Sequence, residues 1–141
     1  MERYVIVSHV GVNSLKFGMR RAEIYNEIGS PERTRKSRFS NEITEFWCEN
    51  GLQLTFSDDE YLLEIGLYPN LPLVELGGIR LFEEPGVDVM KKLRDLDRSP
   101  IEKVGVTIFL NIGIALTGFL NEDDDQKSVS VFARGRWKPA P

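Results

Sequence analysis

The sequence predicts an α+β fold built as two tandem repeats, each a helix followed by an antiparallel β-meander, packed as one compact domain. Two observations carry this expectation. The segment Phe46-Trp47-Cys48-Glu49-Asn50-Gly51-Leu52-Gln53-Leu54-Thr55 aligns without a gap on Ile108-Phe109-Leu110-Asn111-Ile112-Gly113-Ile114-Ala115-Leu116-Thr117, an offset of 62 positions, and both copies read Gly-x-x-Leu-Thr. Self-similarity at a fixed offset is the mark of a repeated supersecondary unit. Each copy also carries helical spacing upstream and two-residue alternation around it, the order of a helix followed by a meander. With 141 residues, 41% of them hydrophobic, the chain can bury a core. Each half alone, at about 65 residues, would be marginal, so the two sheets are expected to join.

The elements follow in order. Tyr4 to Val10 is rich in β-formers and reads as a strand, turned by Gly11-Val12-Asn13-Ser14, with Leu15-Lys16-Phe17 short and extended. Arg20 to Ile28 reads as a helix from the spacing of Ile24, Tyr25 and Ile28, with Gly29 as its stop and Pro31 just beyond. Arg33 to Phe39, Ile43 to Glu49, Leu52 to Phe56 and Tyr61 to Leu67 read as strands. Asn50-Gly51 is read as a two-residue type I′ hairpin. Pro69-Asn70-Leu71-Pro72 is the joint, giving repeats at 1–70 and 71–134 and a basic tail at 135–141. In the second repeat Ile79-Arg80-Leu81 echoes Leu15-Lys16-Phe17. Pro85 suits a helix start, and Val89, Met90, Leu93 and Leu96 share a helical face ending before Ser99-Pro100. Gly105 to Leu110, Gly113 to Phe119 and Ser128 to Phe132 supply the strands.

Charge and composition narrow the function. The net charge of −4 argues against a nucleic-acid binder, whose surface is usually basic. One cysteine, Cys48, allows no intrachain disulfide. The N-terminal apolar run stops after Val7, too short for a signal-peptide core. No stretch approaches the roughly 18 apolar residues of a membrane helix. The expected location is the cytoplasm.

The residues offer little catalytic chemistry. His9 is the only histidine, and its neighbour Ser8 points to the opposite face of a strand, so His9 reads as an ordinary edge or surface residue. Cys48 alternates with Phe46 and aligns with Leu110, which suggests a small buried hydrophobe. One Cys and one His cannot build a structural zinc site, and no phosphate-binding glycine motif occurs. No metal and no cofactor is expected.

The helix-opening stretch Leu15-Lys16-Phe17-Gly18-Met19-Arg20-Arg21-Ala22-Glu23-Ile24-Tyr25-Asn26-Glu27-Ile28-Gly29-Ser30-Pro31 resembles the repeat unit of the β-lactamase inhibitor protein and of the outer-membrane assembly lipoprotein BamE. The shared outline is Gly-Met, three residues, Glu-Val/Ile, a short spacer and a Gly-x-Pro exit. Arg20 stands where that family usually carries a small capping residue, and the second repeat lacks Gly-Met. The resemblance implies tandem helix-plus-sheet units and protein binding through the sheet.

The acidic turns and Trp47 suggest where a partner binds, and a basic run marks an edge. Asp58-Asp59-Glu60 and Glu122-Asp123-Asp124-Asp125 occupy equivalent turns of the two repeats, an acidic tip at the same end of each meander. Polar turns are common, and a paired acidic footprint for a basic protein is the functional reading. Contiguous acids do not match a calcium loop. Arg33-Thr34-Arg35-Lys36-Ser37-Arg38 reads as an exposed edge strand guarded by charge. Trp47, if Phe46 and Cys48 face the core, lies on the opposite sheet face, covered either by a helix or by a partner. The expected function is that of a non-enzymatic, immunity-type inhibitor of a toxin or enzyme, monomeric or homodimeric, with no nucleic-acid or membrane partner. The alternative is a small carboxylate-based hydrolase or ligand-binding protein with its site between the repeats.

Overall fold

A computed structural model describes residues 2–120 and 126–137. The chain begins with three short strands, β1 (Tyr4–Val7), β2 (Gly11–Val12) and β3 (Leu15–Lys16), which lead into helix α1 (Arg21–Ile28). Four antiparallel strands follow, β4 (Arg33–Lys36), β5 (Ile43–Trp47), β6 (Leu52–Phe56) and β7 (Leu62–Leu67). Then come β8 (Val74–Leu76), β9 (Ile79–Arg80), helix α2 (Gly86–Leu96) and four more strands, β10 (Ile101–Lys103), β11 (Val106–Phe109), β12 (Ile114–Thr117) and β13 (Ser128–Phe132).

These strands form two sheets. One is five-stranded, ordered β3-β2-β1-β8-β9, with β1 and β8 parallel from Tyr4↔Val74 to Ile6↔Leu76. The other is eight-stranded and antiparallel, ordered β10-β11-β12-β13-β7-β6-β5-β4. Each helix precedes a four-strand meander, and the last strands of the two meanders, β7 and β13, pair in the middle with Val129↔Leu67 and Val131↔Ile65.

Alternation along the strands sorts their residues onto two faces. Leu52, Leu54 and Phe56 on β6, Ile65 and Leu67 on β7, and Val129 and Val131 on β13 are all buried. They join one apolar cluster with Ile24 of α1, with Val89, Met90 and Leu93 of α2, and with Tyr4, Ile6 and Val74 of the small sheet. The core therefore lies between the inner face of the large sheet and a layer made of both helices and the small sheet.

The helices hold this layer by different means. Helix α2 presents an apolar stripe, Val89, Met90 and Leu93, starting after Pro85. Helix α1 buries only Ile24. Its first turn is tied by the Arg20 backbone N–H donating to Glu23 Oε1 at 3.1 Å, and Gly29 ends it at φ 82°. Polar contacts with the sheet fix the rest of α1.

Several expectations are corrected. The first strand ends at Val7, and Gly11–Val12 is itself a strand rather than a turn. The hairpin after β5 is a four-residue loop, Cys48 to Gly51, and not a two-residue Asn50-Gly51 turn. Its positive-φ residues are Cys48 (55°), Glu49 (55°) and Asn50 (69°). Asn70 makes this possible: its side-chain Nδ2 donates to the Cys48 carbonyl at 2.9 Å, and a Cβ on Gly51 would fall on the Asn70 amide. Cys48 is exposed rather than buried, because the strand ends at Trp47 and the thiol sits in the loop. The basic tail is held to the fold through Arg136 and Trp137. The Arg136 guanidinium pairs with Glu42 and Glu64, and Trp137 Nε1 donates to Glu64 Oε1 at 3.1 Å.

Candidate functional site

The large sheet has a second face that takes no part in the shared core. Strand register defines a row straight across it: Ile101, Ile108, Ala115, Ser130, Gly66, Gln53, Phe46 and Arg33, one from each strand. The centre of the row is small, and its ends are large. Ile108, Ala115, Ser130, Gly66 and Gln53 are half-buried. Phe46 is only 2% exposed, because Arg33 lies 4.0 Å and Arg35 5.5 Å from its ring centroid.

Trp47 points the other way. It is 5% exposed and covered by α1, with its Nε1 donating to the Gly29 carbonyl at 3.2 Å and its ring edge-on to Tyr25 at 6.3 Å. Helix cover is thus the outcome for Trp47, and register places Phe46 and Phe132 rather than Trp47 on the outer face.

Beside Trp47 lies a buried ionic cluster. Glu45 is fully buried on the inner face of β5. It accepts from Arg21 Nε at 3.2 Å and Arg21 Nη2 at 3.0 Å, from Thr34 Oγ1 at 2.6 Å, and from the Tyr25 hydroxyl. Burial pushes against ionisation of Glu45, but the hydrogen bonds from Arg21, Thr34 and Tyr25 outweigh it and hold the carboxyl below its ordinary value. The same contact with Glu45 holds Arg21 above its own ordinary value. The cluster clamps α1 onto the sheet. No local pattern in the sequence marks it, because Arg21 and Glu45 sit on different elements 24 positions apart and meet only in the fold.

Only one of the two acidic segments falls within the described residues. Asp58, Asp59 and Glu60 lie between β6 and β7, at the end of the sheet where Phe56 pairs with Leu62. Asp58 and Asp59 are exposed, while Glu60 pairs with Arg21 at 3.2 Å. Glu122, Asp123, Asp124 and Asp125 lie outside the described residues. The strand ends that flank them, Thr117 and Ser128, pair with each other. They stand at the opposite end of the sheet, beside Leu67, because β7 and β13 are antiparallel.

The β6–β7 end also carries the β4–β5 turn and the docked tail. Arg35, Lys36, Ser37, Arg38, Phe39, Glu42, Thr44, Thr55 and Arg136 line a groove of about 530 Å³ there. Glu42 is its one acidic residue, and the Arg136 guanidinium holds that carboxyl below its ordinary value.

His9 is half-buried, and its Nε2 donates to the Asn111 carbonyl at 3.0 Å, leaving Nδ1 buried without a partner among the described residues. Asn111 is in turn held by Asp97, which accepts from its backbone N–H at 3.0 Å and its Nδ2 at 3.1 Å. This chain of contacts ties the β1–β2 turn to the β11–β12 turn. Cys48 Sγ lies 3.6 Å from the Tyr4 hydroxyl, whose pKa is pushed up to about 12 by burial first and by the thiol second. The 190 Å³ recess at this thiol and the 270 Å³ recess beneath α2 each hold a single carboxylate, Glu27 and Glu102 respectively. Among the described residues no three His, Cys, Asp or Glu side chains converge as metal ligands, and no helix is long and apolar enough to cross a membrane.

The chain matches no protein-family model, no curated protein and no solved structure.

Proposed function

We propose that the protein is a non-enzymatic binding protein, an immunity-type inhibitor of a toxin or enzyme acting in the cytoplasm, which takes its partner on the outer face of the eight-stranded sheet. The observation that carries this reading is the cross-sheet row of small residues, Ala115, Ser130 and Gly66, flanked by larger ones and left outside the shared core. Small side chains let a partner approach the backbone closely, and the larger flanks set its register.

We further read the chain as two tandem copies of a helix-plus-meander unit. The order of elements supports this, as does the meeting of the two meanders at β7 and β13. A face built this way draws equally on both halves, and neither half offers it alone.

The partner is a protein that presents basic side chains to Asp58 and Asp59, which are exposed at one end of this face. Affinity capture from lysate of the source organism, read by mass spectrometry at low and moderate salt, tests the reading. The expected result is one stoichiometric partner whose retention falls as salt rises. Asp58→Lys/Asp59→Lys should weaken it about tenfold with an unchanged melting temperature. A charge-reversed variant that binds as well as the native protein would remove the acidic turn from the interface.

A further inference from the structure

The groove at the β4–β5 turn has a chemistry of its own. Arg35, Lys36, Arg38 and Arg136 are among the residues that line it, against the single carboxylate of Glu42. By register Arg35, paired with Thr44, stands on the outer face, and Lys36, paired with Ile43, at the strand end on the other side. The protein as a whole carries −4, so this local excess runs against its overall charge. Some cations elsewhere are neutralised, Arg3 by Glu75, Arg21 by Glu45, Lys92 by Glu84 and Arg94 by Glu102. In the groove, Arg136 is spent on Glu42 and Glu64, whereas Arg35, Lys36 and Arg38 have no ion pair among the described residues. Phe39 stands beside them, 98% exposed.

A charged edge strand can serve merely to deter sheet-to-sheet pairing. That role needs charges along the open edge and no groove. Here the lining extends inward across the outer face to Thr44 on β5 and Thr55 on β6, whose hydroxyls meet at 3.0 Å. The docked tail forms the far wall through Arg136. A volume of about 530 Å³ far exceeds one bound ion and suits several side chains of a peptide.

We propose that this groove receives an acidic, extended segment of the protein partner. The segment crosses the outer face above Thr44 and Thr55, with carboxylates on Arg35 and Arg38, Lys36 adding charge from the strand end, and an apolar side chain against Phe39. The inference rests on the outer-face reading and adds the chemistry of one partner element. Negative overall charge disfavours long polyanions at distance, which selects a short acidic peptide over RNA. The same partner thus meets Asp58 and Asp59 with basic groups and the groove with acidic ones, an arrangement that fixes its orientation.

The test uses the full chain and a labelled ten-residue peptide alternating Glu with Leu, followed by fluorescence polarisation at 50 and 300 mM salt. Controls are the peptide with Lys for every Glu, and a poly-uridylate ten-mer. Lys36→Glu/Arg38→Glu is the variant, since both side chains are exposed and neither stacks on Phe46. Arg35→Gln is the second variant. Saturable binding of the Glu peptide is expected, with no response to the Lys peptide. Affinity should fall at least about tenfold in Lys36→Glu/Arg38→Glu and several-fold with salt. Failure of the Glu peptide to bind, equal binding by both variants, or tighter binding of the RNA overturns the proposal. A captured partner that loses affinity for Ser130→Arg but not for Lys36→Glu/Arg38→Glu would leave the outer-face reading intact and overturn this one alone.

Discussion

At the scale of single residues, the fold depends on a carboxylate that water never reaches. Glu45 is ionised inside the protein only because Arg21, Tyr25 and Thr34 all donate to it. Removing one charge of such a pair leaves the other unpaired and buried, which costs about 3–5 kcal/mol. Arg21→Met is therefore expected to lower unfolding free energy by about 3 kcal/mol in denaturant titration. The pH dependence follows from the same contacts. Glu45 and Glu42 are both held below the ordinary carboxylate value of 4.5 in the folded protein. Their stabilisation is complete above that value and is lost as pH falls through the folded-state values, since the unfolded chain binds protons first. Native protein should lose stability steadily below about pH 4.5. In Glu45→Gln the curve should start lower at neutral pH and fall less steeply on the acid side. An acid limb of unchanged slope would mean that Glu45 is not the titrating group.

Cys48 shows how one residue can mislead. Cys48 and Leu110, aligned in the sequence, each follow the last residue of a strand, Trp47 or Phe109. Alternation was carried one step past the strand end, and that step turns a buried site into an exposed one. The native thiol is expected to react with a water-soluble disulfide reagent without prior unfolding. A thiol that reacts only in denaturant would place it inside after all.

Among the elements, the meander strands were legible because their apolar residues alternate over four to six positions, as in Leu52, Leu54 and Phe56. Helix α2 was legible for the same reason, through its apolar stripe. The strands that escaped notice, β8 and β10, have three residues each, too short for a period to register. Strand β8 owes its place to the parallel partner β1, about seventy positions earlier, which no local pattern reveals. The Asn50-Gly51 turn was misread because its geometry is imposed by Asn70, a residue from another loop. Helix α2 offers a direct check on element packing. A Cβ on Gly86, its first residue, would strike the backbone carbonyl of Phe119, which cannot rotate away. Gly86→Ala should cost about 1–3 kcal/mol, although alanine ordinarily favours a helix. A neutral or stabilising result in thermal melts would show that the helix start and the Phe119 loop do not touch.

For the whole molecule, the sheet junction governs what any partner meets. Pairing β7 with β13 antiparallel joins two four-stranded meanders into one continuous face. The sequence pattern suggested paired acidic tips, and it held no information on which strands would meet. The outer face was hidden for a similar reason: Gly66, Ser130 and Ala115 lie far apart in the chain and become neighbours only through register. Their common smallness has no local signature. The central claim is that this row receives the partner. Calorimetric titration of the purified, captured partner into Ser130→Arg tests it most directly, with circular dichroism to confirm an intact fold. The account predicts at least a hundredfold loss of affinity, about 2.7 kcal/mol, with the melting temperature within a few degrees of native. Undiminished affinity for a folded Ser130→Arg would contradict it and move the interface to another face.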